Sequence, residues 1–268
     1  MRRNAAVGSA DVRAVYDGAQ AQLYELMMGQ QIHVGGYRSS LELADAAGIG
    51  AGQHGVELCC GTGASMRLLV RMRDVATMTG VELAASPVER GRAAVTNEGL
   101  IDRITLTEGD ATATGLGDGV ADFVWGEDAW CYVPDKTQLI AEAARLTKPG
   151  GVIAFTDWIE GPTGLSDAEA DHVMGVMTFP SLFGLDDYRA ALNEQGFDVV
   201  VAEDTERFGP SFHAYAEELA TQFGFDALAL FDYNAEVLGL VVDQLEGFSR
   251  LGFERKLVQG RFVARKRA

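Results

Sequence analysis

Val56-Glu57-Leu58-Cys59-Cys60-Gly61-Thr62-Gly63-Ala64 is an apolar run that ends beside an acid and then turns tightly on glycines. A helix-forming stretch, Met66-Arg67-Leu68-Leu69-Val70-Arg71, follows, and a second apolar run closes on Gly80-Val81-Glu82-Leu83. A carboxylate about twenty residues past the last glycine is the spacing of a nucleotide-type site on a doubly wound sheet. The glycines let the backbone approach a ligand closely, and Glu82 at the end of the second strand is placed to accept ribose hydroxyls.

From Gly55 onward, strand and helix patterns alternate. Strands are expected near 55–59, 76–81, 103–107, 121–125 and 151–156, with helices near 63–73, 87–98 and 136–147. Ser86-Pro87 suits a helix start, and Lys148-Pro149-Gly150-Gly151 is a stop before a strand. After Trp158 the rhythm changes to helices near 166–176 and 184–195, a strand at 198–202, a long helical stretch from about 211 to 249, and a last strand near 256–264. The N-terminus predicts a helix from Asp11 to Met28, a linker through Tyr37, and a short helix capped by Ser39 or Ser40 and stopped by Gly48. This pattern predicts an α/β, Rossmann-like fold. Its sheet is seven-stranded and mostly parallel, with helices on both faces and the N-terminal and late helices as a lid. The expected division is an N-terminal helical segment 1–50 and a domain 51–268 with helical insertions near 160–196 and 210–250.

The net charge of −17 sets phosphate attraction to the wrong sign, so neither nucleic acid nor an anionic membrane is expected as a partner. Three cysteines, Cys59, Cys60 and Cys131, make no disulfide framework and no metal-ligand spacing. No apolar run is long enough to span a bilayer, and Met1-Arg2-Arg3-Asn4 is not followed by a signal-like apolar segment. A cytoplasmic location is the expectation, and a homodimer is compatible with it.

These motifs resemble those of class I S-adenosylmethionine (SAM)-dependent methyltransferases over residues 54 to 157. The acidic-x-x-x-Gly-x-Gly motif is matched by Glu57, Gly61 and Gly63, with Cys59 in place of a frequent glycine. The resemblance implies a ribose carboxylate at Glu82, beside Leu83, and an adenine-binding acid at Asp110, beside Ala111. Asp122-Phe123-Val124-Trp125 and Leu146-Thr147-Lys148-Pro149-Gly150-Gly151 match the later motifs in order. SAM has ribose hydroxyls, an adenine amino group and a sulfonium but no phosphate. A dinucleotide site would want a three-glycine turn, and positions 65 and 66 are Ser and Met. An NAD-dependent oxidoreductase is therefore the weaker reading.

A narrower resemblance, to sarcosine/dimethylglycine N-methyltransferases, lies in Val15-Tyr16-Asp17, Leu23-Tyr24-Glu25, Ile32-His33-Val34-Gly35-Gly36-Tyr37 and Glu127-Asp128-Ala129-Trp130. It implies an N-terminal segment closing over SAM and a small amine acceptor such as dimethylglycine. C- or O-methylation of a secondary-metabolite, phenolic or prenyl substrate is the alternative, marked by an apolar pocket of residues such as Phe179, Leu182 and Phe183. A non-catalytic SAM binder is a further alternative, weakened by the intact motif.

Methyl transfer needs alignment, water exclusion and, for a protonated acceptor, a base. His33 and Asp128 are candidates to contact the acceptor or take its proton, with linker or loop stabilisation as their structural roles. Tyr16 and Tyr37 could line a cation site through ring faces, and Tyr37 is also a catalytic candidate. Glu127 follows the fourth strand, where ligands sit, and is a candidate for the SAM amino group. Trp130 and Tyr132 are candidate walls of the acceptor pocket, and Arg38 is the candidate cation for an acceptor carboxylate.

Overall fold

The computed structural model describes residues 1–17 and 19–267. Seven strands form the central sheet: β2 (His54–Leu58), β3 (Thr77–Glu82), β4 (Ile104–Glu108), β5 (Ala121–Glu127), β6 (Thr147–Glu160), β8 (Phe197–Asp204) and β9 (Leu257–Lys266). Their order is β4-β3-β2-β5-β6-β9-β8. Pairing is parallel from β4 through β6, and β9 runs antiparallel to both β6 and β8. The chain winds outward from β2 through β3 to β4, then returns to lay β5 and β6 on the other side. The reversal between β2 and β5 opens a crevice at their carboxyl ends.

β5 is buried at nearly every position because both its faces are covered. On one face, α6 (Lys136–Leu146) and α8 (Leu185–Glu194) place Leu139, Ile140, Tyr188 and Leu192 against Val124 and Phe155. On the other, α3 (Gly36–Ala47), α4 (Ala64–Met72) and α5 (Ala85–Asn97) place Leu43, Leu69 and Val88 against Phe123 and Trp125. A third core joins α1 (Ser9–Asp17) and α2 (Ala19–Met28) to α7 (Asp167–Met177), α9 (Phe208–Ala220), α10 (Gly224–Leu230) and α11 (Ala235–Phe253). The first fifty residues therefore contribute to two different cores.

Two short strands, β1 (Arg2–Arg3) and β7 (Ser181–Leu182), pair antiparallel and escape sequence detection because neither has a period to read. The expected helix 11–28 is described as α1 and α2 on either side of Gly18, which lies outside the described residues. Two boundaries differ from expectation. The helix assigned a Ser39 or Ser40 cap begins earlier, at Gly36, after Gly35 in a left-handed turn (φ 89°). Both serines are inside it and buried. The long stretch 211–249 is three helices, broken where Asp232 and Tyr233 adopt left-handed φ and Asn234 caps α11 through Glu236 N and Val237 N. No helix among the described residues is long and apolar enough to cross a membrane.

Candidate active site

The crevice holds a cavity lined by the turn after β2, the ends of β3 and β5, and by α1 and the Gln30–His33 linker. The turn takes left-handed φ at Cys59 (61°), Gly61 (52°) and Gly63 (67°). For Cys59 this conformation carries a cost that glycine would avoid. Cys59 N and Cys60 N both donate to Val81 O, at 2.8 and 3.2 Å, which ties the turn to β3. Helix α5 presses on it from outside: a Cβ at Gly91 would stand 2.7 Å from the Thr62 carbonyl oxygen. Gly91→Ala should therefore lose about 1–3 kcal/mol in chemical denaturation, since rigid backbone must move. Unchanged stability would show that the turn is looser than its packing indicates.

Glu82 is buried at the end of β3. Its Oε2 accepts Gly61 N and its Oε1 accepts Ala84 N, each at 3.0 Å. Burial raises its pKa. Asp110 is exposed and uses Oδ1 to accept Thr112 N and Oγ1, both at 2.8 Å. Leu83, Asp110 and Ala111 line the cavity; Gly63 caps α4 just behind it.

A carboxylate pair forms the opposite wall. Glu127 Oε2 accepts Ser65 Oγ at 2.6 Å, Ser40 Oγ at 3.1 Å and Trp125 Nε1 at 3.1 Å, and lies 3.5 Å from His33 Nε2. Glu127 Oε1 and Glu57 Oε2 are buried with no partner. Burial, and next the charge of Glu127, push the Glu57 pKa well up. His33 turns Nε2 to Ser40 Oγ (3.2 Å) and Nδ1 to its neighbour's carbonyl, Val34 O (3.4 Å). Both ring nitrogens thus face protein atoms. Asp128 is buried in a left-handed conformation (φ 49°). Its Oδ2 accepts Val34 N at 2.8 Å, and Gln259 Nε2 donates to both its oxygens at 3.0 and 2.8 Å. Burial raises its pKa against the nearby His33.

Of the aromatic side chains in the lining, Tyr16 meets Tyr132 edge to face (5.3 Å between centroids), and Tyr132 meets Phe179 the same way (4.8 Å). Behind them Trp158 sits among Phe179, Phe208, Phe212 and Phe248. Among the cavity's described lining residues the only arginine or lysine is Arg90, and it pairs with Glu25 of α2.

Three expected site residues stand elsewhere. Tyr37 is 53% exposed on the outer face of α3, with the exposed Arg38 guanidinium 6.0 Å from its ring centre. The early start of α3 turns these two outward and brings Ser39 and Ser40 inward. Trp130 is wholly buried, stacked on Phe155 at 4.1 Å and pressed on Gly126, so it backs the wall without lining it. Ser40, Ser65 and Gln259 are the site residues that the sequence reading missed. Ser65, in the first turn of α4 just after the glycine turn, had a local signal. The other two come together only in the fold.

Residues 56–155 match the family model of the methyltransferase domain. The chain is 28% identical over 242 residues to methyltransferase GfsG of Streptomyces halstedii, covering 82% of this chain and 86% of the relative. It is 29% identical to the 27-O-demethylrifamycin SV methyltransferase of Amycolatopsis mediterranei, over 75% and 79% of the two chains. It is 31% identical to the dimethylglycine N-methyltransferase of Parasynechococcus marenigrum, over 53% and 56%. A Galdieria sulphuraria structure assigned to a sarcosine dimethylglycine methyltransferase shares the fold, with a TM-score of 0.84 at 22% identity over 94% and 98%. These matches identify a methyltransferase domain, and the seven-stranded sheet is that of the class I SAM-dependent methyltransferase fold. These relatives modify nitrogen and oxygen alike, so they define a small-molecule methyltransferase without choosing the acceptor.

Proposed function

We propose that this enzyme methylates a hydroxyl of a neutral, largely apolar small molecule. The observation that carries this is the cavity lining, where the Tyr16 and Tyr132 rings stand and the one arginine or lysine among the described lining residues, Arg90, is already paired with Glu25 and so is not free for an acceptor carboxylate. A carboxylate-bearing amine such as dimethylglycine would share the cavity with Asp128 and Glu127 without a free counter-charge, and desolvating an unpaired carboxylate is costly. Similarity to the rifamycin-type O-methyltransferase over 75% of the chain supports the same reading. The N-methyltransferase likeness and the two tyrosine rings support a second one, an amine acceptor without a carboxylate.

The residues fit SAM. Two buried carboxylate oxygens without partners, Glu57 Oε2 and Glu127 Oε1, are what a methionine ammonium would satisfy. Glu82 would hold the ribose hydroxyls and Asp110 the adenine amino group, with Cys59, Gly61, Leu83 and Ala111 shaping the cradle and Tyr16 beside the sulfonium. When bound, SAM supplies an electrophilic methyl on a sulfonium leaving group. The chain's part is then to align the acceptor, keep water out and remove the hydroxyl proton. Asp128 Oδ1 is the carboxylate oxygen assigned to that proton, while His33 holds the linker to Glu127. A panel of acceptors with labelled SAM tests the reading. Transfer to neutral hydroxylated compounds and not to sarcosine or dimethylglycine is expected, and transfer to the latter alone would overturn it.

A further inference from the structure

Lys136, the first residue of α6, is 2% exposed. A cation at a helix N-terminus opposes the helix dipole, and burial adds a desolvation cost that lowers its pKa. An apolar residue would avoid both costs. What the ammonium does instead is hold backbone. Its three N–H groups face four acceptors, Ser181 Oγ at 2.6 Å, Ser181 O at 3.0 Å, and Cys131 O and Val133 O at 3.3 and 3.4 Å. From the other side comes Asp157 of β6, fully buried, whose Oδ1 accepts Cys131 N at 2.9 Å and whose Oδ2 accepts Tyr188 OH at 2.5 Å. Cys131 is thus gripped by both its N–H and its carbonyl. It is the middle residue of the 3-10 turn Trp130–Tyr132. Ser181 lies in β7, where Arg3 pairs with it, so the grip extends to the N-terminal strand.

We propose that Lys136 and Asp157 are positioning residues that fix this turn by its backbone, setting the acceptor wall that Tyr132 and Val133 present. Neither residue lines the cavity, whereas Tyr132 and Val133 do. The inference rests on the reading of the Tyr16–Tyr132 end as the acceptor side.

Lys136→Met keeps the stem and removes the donors. Acceptor KM should rise about tenfold with kcat within about threefold, and SAM affinity by calorimetry should stay within about twofold. Amide exchange should accelerate in residues 129–133 and stay unchanged in 55–63. A folded variant with unchanged acceptor KM, or one in which KM and SAM affinity deteriorate together, overturns the proposal. If Lys136→Met does not fold, Ser181→Ala removes one acceptor of the same grip. It should raise KM about threefold at constant SAM affinity, and an unchanged KM is again decisive against it. KM is measured with whichever acceptor the wild type uses. Turnover of dimethylglycine would therefore sink the hydroxyl reading while leaving this test intact. Where no acceptor is found, uniform exchange in both segments overturns the proposal.

Discussion

Glu82→Ala should weaken SAM binding about a hundredfold, measured by calorimetry with SAM and with its demethylated product. A carboxylate holding two ribose hydroxyls contributes two charge-assisted hydrogen bonds, each about 1.5–3 kcal/mol, and every 1.4 kcal/mol is tenfold in affinity. The carboxylate also accepts Gly61 N and Ala84 N, so its loss frees two backbone donors beside the ligand. Glu82→Gln separates the two effects. It keeps an acceptor for the turn but has one oxygen fewer for the ribose, so an intermediate loss is expected. An affinity unchanged in the alanine variant would refute the ribose assignment. A loss matched by a large fall in thermal stability would shift the role of Glu82 to holding the turn.

Glu82 was legible in the sequence because it ends a strand at a fixed distance from a glycine turn, and both are local signals. The same holds for Glu57 and Asp110, and for all seven strands of the sheet, whose apolar runs are punctuated by turns. The start of α3 differs from the sequence expectation for a physical reason. Two serines resemble a cap, yet Gly35 reaches a left-handed φ more cheaply and starts the helix earlier. The displaced start moved Tyr37 and Arg38 out of the site and brought Ser40 into contact with Glu127.

Lys136 shows a second limit. It appears in the sequence as an ordinary charged residue at a helix start, and only the approach of Ser181, 45 residues on, makes its burial intelligible. Asp128 is a case between these. Its place after β5 was readable, but its partners are 94 and 131 residues away, at Val34 and Gln259. The tertiary fold decides what such a residue can do.

Asp128→Asn should lower kcat about a hundredfold, the lower end of what a positioned base contributes, with SAM affinity changed no more than about threefold. The amide preserves shape and an oxygen for Val34 N, so the linker stays in place and the thermal midpoint should move by less than about 5 °C. The pH profile makes the assignment specific. Protonated Asp128 cannot accept a proton, so wild-type kcat falls as pH drops through its pKa. Burial has raised that pKa, so the fall comes at a higher pH than an exposed aspartate would give. The Asn variant has no such limb, and its residual rate should be flat across the same range. If the acid limb persists in Asp128→Asn, another group takes the proton, and His33, 3.5 Å from Glu127, becomes the next residue to substitute. If kcat holds while acceptor KM rises, Asp128 orients the acceptor through the linker and removes no proton.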